Sequence, residues 1–314
     1  SFLRHSYIPA PNSIYKGIFK LLPGHLLSVS LNSKKPSISQ YWSVAEKFMV
    51  HNNPLSFAND TEAINSLEET LSLAVKQQMI ADVPIGAFLS GGIDSSIITS
   101  LMQSNSTQKI KTFTIGFNQE DFNEAQHAKA VAAHLQTDHS ELYIDSHDLL
   151  SVIPKLPELY DEPFGDSSQI PTYLISRFAK ENVTVSLSGD GGDELFGGYN
   201  RYQITRKYWS TLKMVPPALR SMLARGILAL SPNTVEKIYS SLAQNIKYSN
   251  LSDKLYKGAN VLASKDIMSL YKSLVSSCND PDSMVIGGNE SNKHFDSSMK
   301  QFQSYDDLSF MMCM

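Results

Sequence analysis

Two short strings of the same build constrain this chain more than any other feature. In each, a strand-like apolar run reaches Leu-Ser-Gly and turns at once into a small-residue corner. The first reads Leu89-Ser90-Gly91-Gly92-Ile93-Asp94-Ser95-Ser96, the second Leu187-Ser188-Gly189-Asp190-Gly191-Gly192-Asp193-Glu194. A helix-competent run, 95–102, follows the first, so free backbone N–H groups collect at a helix N-terminus, where an anion is favoured. Gly91 and Gly92 tolerate positive φ and allow close backbone approach to a ligand, while Ser90, Ser95 and Ser96 add hydroxyl donors. A phosphate group is the expected guest. In an open parallel sheet, ligands bind beyond the carboxyl ends of the strands, so both corners would face one crevice.

The first corner is not a Walker A loop, because it holds no Gly-Lys-Ser/Thr and no lysine. It carries Asp94 instead. A bare carboxylate would repel a polyphosphate, so Asp94 makes sense with Mg²⁺ between them; magnesium is normally held by one or two carboxylates plus phosphate oxygens and water. Asp193 in the second corner would share that metal. The plain alternative is an ordinary strand-to-helix turn with Asp94 as a cap. An EF-hand is the other rival for the second corner, but no Asp-x-Asp-x-Asp-Gly series runs on to a glutamate at the twelfth position.

The surrounding chain alternates strand and helix patterns. The run 183–188 has β-branched residues at alternating positions, and 111–117 and 141–144 also read as strands. Helices are expected from residue 61, where Ile64, Leu67, Leu71, Val75 and Met79 recur with Asp60 or Thr61 as cap. Two more are expected over 123–134, with Ala125, Ala128, Val131 and Ala132 inward, and over 171–180. This order argues for an α/β fold, a parallel sheet covered by helices on both faces. Beyond about residue 202 the pattern is mostly helical, broken at Pro216-Pro217 and Asp280-Pro281-Asp282, with a polar, glycine-bearing stretch over 276–298. Residues 1 to about 45 form short alternating runs with turn signals, among them a strand over 26–31, too few for a core of their own.

Composition excludes several classes. In 314 residues, 42% hydrophobic and 18% charged content describe a globular protein with a sizeable core. A net charge of −4 leaves no electrostatic footprint for nucleic acid, so Arg201, Arg206 and Lys207 read as a solvated helix face. Cys278 and Cys313 form no CxxC pair, which leaves zinc and redox motifs unsupported and fits a reducing cytoplasm. No apolar run approaches the ~20 residues of a membrane span, and no signal peptide opens the chain. A start without methionine and an apolar end, Phe310-Met311-Met312-Cys313-Met314, read as an internal fragment of a longer protein.

The Ser-Gly-Gly-Ile-Asp-Ser-Ser string resembles the signature of the ATP pyrophosphatases, the PP-loop branch of the adenine nucleotide α-hydrolase-like fold. With the second corner, and with Tyr160-Asp161-Glu162-Pro163-Phe164-Gly165-Asp166-Ser167-Ser168-Gln169-Ile170-Pro171-Thr172-Tyr173 between the two, the chain resembles the glutamine-hydrolysing asparagine synthetases. The likeness is dense from the N-terminus to about Tyr202. It implies residues 1–50 as the tail of a glutamine amidotransferase domain, 51–60 as a linker, and 61–314 as an ATP-dependent synthetase domain. It also implies the chemistry: aspartate attacks the α-phosphorus of ATP, pyrophosphate leaves, and ammonia from glutamine converts the acyl-adenylate to asparagine and AMP.

Carried over by position, the resemblance implies ATP contacts at Leu89, Ser90, Gly91, Gly92, Asp94, Ser95, Ser96, Ile115, Ser188 and Gly189, with Mg²⁺ at Asp94 and Asp193. Leu89 and Ile115 would meet the adenine, and strand core aliphatics explain them at the same time. Asp190, a catalytic candidate, stands where several synthetases carry glutamate. Glu162 and Asp166 border the pocket or cap the helix that follows. The family's charge-neutralising lysine, downstream of the second corner, has no match here, so the chain is expected to bind ATP and turn over poorly. The resemblance leaves a homodimer open. Rivals are a PP-loop amide former acting on another carboxylate, such as a β-lactam synthetase or an enzyme amidating cell-surface polysaccharide, an RNA-thiolating ATP pyrophosphatase, and a non-catalytic ATP-binding module.

Overall fold

Period-2 runs at the chain start pair with each other before the main sheet begins. In the computed structural model, which describes residues 1–43, 56–117, 123–231, 233–234 and 251–288, β1 (His25–Ser30) and β2 (Ser33–Gln40) form an antiparallel hairpin. Residues 44–50 of the expected N-terminal remnant, 51–55 of the expected linker, the polar stretch past 288, and Cys313 with its apolar neighbours lie outside the described residues. The chain divides into two compact units. One is Ala10–Phe196, and the other joins Ser1–Pro9 to the described residues from Gly197 onward.

The first unit holds the repeated strand–corner–helix pattern. Helix α1 (Asp60–Gln78) is capped by Asn59, whose side chain accepts the N–H of Glu62 at 3.0 Å. Asn59 thus takes the role expected of Asp60 or Thr61, because its oxygen reaches the third helical N–H and asparagine is among the best caps. Then come β3 (Ile85–Phe88), α2 (Ile93–Ser104), β4 (Lys111–Phe117), α3 (Ala125–Leu135), β5 (Asp138–Ile144), α4 (Ser146–Val152), α5 (Gln169–Lys180), β6 (Val185–Leu187) and α6 (Gly192–Phe196). The strands form one parallel sheet in the order β5-β4-β3-β6.

Side-chain alternation sends the two faces to different helices. On one face Ala87 packs with Val75 of α1 and Met102 of α2, while Leu89 packs with Ala128 and Ala132 of α3. On the other, Phe113 meets Ala179 and Phe178 of α5, and Ile144 meets Val152 of α4 and Leu174 of α5. The doubly covered parallel sheet expected from the sequence is therefore present. The apolar stripe of α1 is only partly used: Val75 is buried, yet Ile64 and Leu67 are exposed. Nineteen helical residues rise about 28 Å, whereas the four residues of β3 advance about 13 Å. The first turns of α1 overrun the strand they pack beside.

The second unit is helical, as its sequence pattern predicts: α7 (Asn200–Leu212), α8 (Pro217–Leu228), α9 (Leu251–Leu262) and α10 (Ile267–Val275), with α8 against α9 and α7 against α10. Pro217 opens α8 at its first position, where a missing N–H costs nothing. Arg220, almost wholly buried, donates to the carbonyls of Val215 and Ser264 and so closes the α8–α9 pair. Among the described residues no helix is long and apolar enough to cross a membrane.

Candidate active site

Strand order turns back between β3 and β6: β4 and β5 lie to one side of β3, and β6 to the other. That reversal is the switch point at which such sheets open a ligand crevice. Both serine–glycine corners sit there, at the carboxyl ends of the two adjacent strands. The shared crevice expected from the sequence follows from this topology.

The first corner is built from backbone constraints. Leu89 is 1% exposed, its side chain held by α3 and its N–H bonded to the carbonyl of Phe113 at 2.9 Å. Gly91 has φ +84°, and a Cβ there would lie 2.6 Å from the amide nitrogen of Ala128. Only glycine meets both demands. Ser90 Oγ accepts the Gly92 N–H at 3.2 Å and lies 3.0 Å from Ser95 Oγ, while Ser96 Oγ donates to the Gly92 carbonyl at 2.7 Å. The buried Ser95 hydroxyl also accepts from the Ser90 N–H and reaches the Gly92 carbonyl. It shapes the corner from within. Gly92 caps α2 with no side chain, which leaves the first-turn N–H groups pointing out as an anion cradle.

In the second corner Ser188 Oγ donates to Asp190 Oδ2 at 2.9 Å, and Gly191 turns the chain with φ +88°. Asp193 and Glu194 then occupy the first turn of α6. The two corners touch through glycine. A Cβ on Gly189 would come within 2.7 Å of the Ser95 nitrogen and 2.8 Å of the Asp94 carbonyl carbon, and one on Gly192 within 2.7 Å of Asp94 Oδ2. Hence the Asp94 carboxylate lies against the residue next to Asp193. Both acids are half-buried, Asp190 is exposed, and neither Asp94 nor Asp193 has an ion-pair partner among the described residues. Two unneutralised carboxylates beside a cradle for anions suit a hard, oxygen-loving cation such as Mg²⁺.

Ile115 supplies an edge rather than a side chain. The Phe113 carbonyl faces β3, and by the two-residue alternation of strand backbone so do the N–H and C=O of Ile115. At that height β3 has already turned into its corner, its last ladder pair being Phe88 with Phe113. The Ile115 side chain packs into the α5 cluster with Ile170. Such a strand edge offers one backbone donor and one backbone acceptor to a ligand.

The 160–168 loop runs into the N-terminus of α5, which lies at the same edge of the sheet because a crossover helix runs antiparallel to its strands. Asp166 Oδ1 accepts the Ser168 N–H at 2.9 Å, so it serves the turn before α5. Among the described residues Glu162 caps no helix; it pairs with Lys20 Nζ at 2.8 Å, and Tyr15 Oη donates to the Asp161 carbonyl at 3.2 Å. Neither Lys20 nor Tyr15 stood out in the sequence, since 142 residues separate Lys20 from Glu162 and no motif spans that gap. Among the described residues, Asp145, His147 and Asp148 also bring metal-type ligands together, but Asp145 and Asp148 form a capping box at the start of α4. The Asp148 N–H it binds holds the Asp145 carboxyl below its usual range.

Residues 66–314 match the asparagine synthase family. The chain is 35% identical over 268 residues to a protein of Methanocaldococcus jannaschii named putative asparagine synthetase (glutamine-hydrolysing) 2, covering 80% of this chain and 50% of that protein. It is 32% identical over 222 residues to asparagine synthetase (glutamine-hydrolysing) 1 of Bacillus subtilis, covering 71% of this chain and 34% of that one. The chain thus spans a third to a half of the length of these relatives. A solved NH3-dependent NAD synthetase from Campylobacter jejuni overlays with a TM-score of 0.32 at 11% identity, over 65% of this chain and 95% of its own, too loosely to bear on the fold.

Proposed function

Because the chain belongs to the asparagine synthase family, we propose that its crevice binds ATP with Mg²⁺ and activates the β-carboxylate of aspartate as an acyl-adenylate. The observation that carries this reading is the contact of the two corners, with Asp94 packed on Gly189 and Gly192. Two half-buried acids and a set of outward N–H groups at one switch point support the reading.

Each residue then has a role. The outward N–H groups at the start of α2, with Ser90 and Ser96, hold the departing pyrophosphate. The Ser95 hydroxyl holds the corner in shape, and Ser188 and Gly189 border the α-phosphate from the other strand. Asp94 and Asp193 would hold Mg²⁺, which when bound neutralises phosphate charge. Leu89 through its carbonyl, and Ile115 through its backbone, meet the adenine. Asp190 faces the amino-acid substrate from the exposed side of the second corner. Such transfers are catalysed by positioning and charge neutralisation rather than by covalent protein chemistry, and no residue of this set is assigned a nucleophilic role. The aspartate carboxylate oxygen attacks the α-phosphorus as the bond to pyrophosphate breaks. Ammonia, generated from glutamine in another domain, then attacks the acyl carbon and AMP leaves.

In this reading residues 1–50 are the tail of that glutaminase domain, 51–60 a linker and 61–314 the synthetase domain, acting in the cytoplasm. The direct test is release of pyrophosphate from ATP with L-aspartate, compared with other carboxylates. Release that depends on aspartate supports the reading, and release that prefers a different carboxylate assigns the site to another amide former. Steady asparagine formation from glutamine by this chain alone would contradict the assigned division of labour.

A further inference from the structure

The match to the family begins at residue 66, yet the unit that carries the crevice begins at Ala10. Residues outside the matched span therefore pack on the synthetase fold, and one stretch of them reaches the ligand edge. Residues 11–20 fold on themselves: Lys20 N–H donates to the Pro11 carbonyl at 2.9 Å, and Ser13 Oγ donates to the Ile18 carbonyl at 2.8 Å and accepts the Tyr15 N–H at 3.0 Å. From this prefolded turn, Lys20 and Tyr15 grip two successive residues of the 160–168 loop, Glu162 through an ion pair and Asp161 through its carbonyl. The Glu162 side chain keeps only 15% of its exposure, against 39% for Lys20. A carboxylate so withdrawn from water depends on its partner far more than an exposed one does.

The gripped loop is not remote from the crevice. It ends in α5, whose first turn puts Ile170 into the cluster that holds Ile115. The Gln169 side chain reaches back to the Phe164 carbonyl at 3.0 Å, and the Tyr160 and Phe164 rings lie 5.7 Å apart. The loop is thus a closed unit anchored at α5 on one side and at Lys20 and Tyr15 on the other.

We propose that Lys20 and Tyr15 are positioning residues for the proposed reaction: acting through Glu162 and Asp161, they fix the 160–168 loop as the wall against which the amino-acid substrate is held. The inference rests on reading the crevice as a carboxylate-activating site. It gives the segment upstream of the synthetase domain a part in substrate binding without a contact of its own to substrate.

The test uses the full chain with Lys20→Met, Lys20→Arg, Tyr15→Phe and the charge exchange Lys20→Glu with Glu162→Lys. Two quantities are read: hydrogen exchange across 160–168 against 86–96, and calorimetric affinity for L-aspartate with Mg²⁺ and a non-hydrolysable ATP analogue present. Lys20→Met should speed exchange in 160–168 and weaken aspartate binding by roughly tenfold, between the exposed and buried limits for an ion pair. Exchange over 86–96 should stay at wild type, and affinity for the nucleotide analogue, which the loop reaches only through the Ile170–Ile115 cluster, should fall by less than the aspartate affinity. Lys20→Arg and the charge exchange should restore most of the aspartate affinity, and Tyr15→Phe should show a smaller loss of the same kind. Unchanged aspartate affinity in a folded Lys20→Met chain overturns the proposal, whether or not the loop loosens. A wild-type chain that takes the nucleotide and no aspartate sinks the functional reading instead, and loop exchange then decides the brace alone.

Discussion

Gly189→Ala should separate the two corners while leaving each one's own backbone unstrained. A Cβ at that position would lie 2.7 Å from the Ser95 nitrogen and 2.8 Å from the Asp94 carbonyl carbon, against about 3.5–4.0 Å for an unstrained contact. Both neighbours are main-chain atoms in the first turn of α2, so no rotamer change relieves the overlap. One corner must shift by roughly 1 Å. Overpacking of this kind costs about 1–3 kcal/mol, or a fall in Tm of roughly 2–12 °C for a unit of this size. A displacement near 1 Å at a reacting centre costs on the order of 10²-fold in rate, and a comparable loss is expected in affinity for Mg·ATP. Gly191→Ala is the control. Its φ of +88° makes alanine costly by about 1–2 kcal/mol, but nothing lies within 4 Å of the added carbon. The two variants should therefore lose similar stability by thermal unfolding, and only Gly189→Ala should lose most of its nucleotide affinity by calorimetry. Equal affinities in the two would refute the claim that corner-to-corner contact builds the site.

Other outcomes follow from single interactions. Asn59→Ala removes the cap of α1 and should cost about 1 kcal/mol, read as a shifted urea midpoint with unchanged slope. His139 Nδ1 lies 2.9 Å from the Thr112 hydroxyl, which also meets Thr137, and its Nε2 is buried with no partner among the described residues; burial lowers its pKa from 6.5, with Glu141 opposing the shift and Lys129 adding to it. Folding therefore favours the neutral ring. Its stabilisation is present above pH 6.5 and is lost as pH falls from there toward the folded-state value, so wild type should lose more stability than His139→Gln between pH 7.5 and 5.5. Thr112→Val leaves the His139 Nδ1 and the Thr137 hydroxyl without this partner and should destabilise by about 1–3 kcal/mol, by the same denaturant assay.

What the sequence disclosed was local and repeated. The strand at Lys111–Phe117 and the inward alanines of α3 have the predicted bounds and face, because period and composition act over a few residues. Both corners were readable for the same reason. The bonds of the Ser95 hydroxyl within the corner, to Ser90 Oγ and the Gly92 carbonyl, are visible only in the closed turn. The strand before the second corner, β6, is shorter than its pattern, since Val183 and Thr184 lead into the ladder rather than join it. Lys20 could not be found this way at all: an ion pair across 142 residues depends on tertiary contact, which neither spacing nor propensity encodes.

Calorimetric titration of ATP with and without Mg²⁺, on wild type and on Asp94→Asn, tests the central claim most directly. The account predicts tight binding only by wild type with the metal, because in each of the other cases a carboxylate–cation–phosphate arrangement is broken. Affinity indifferent to Mg²⁺, or unchanged in Asp94→Asn, would contradict it.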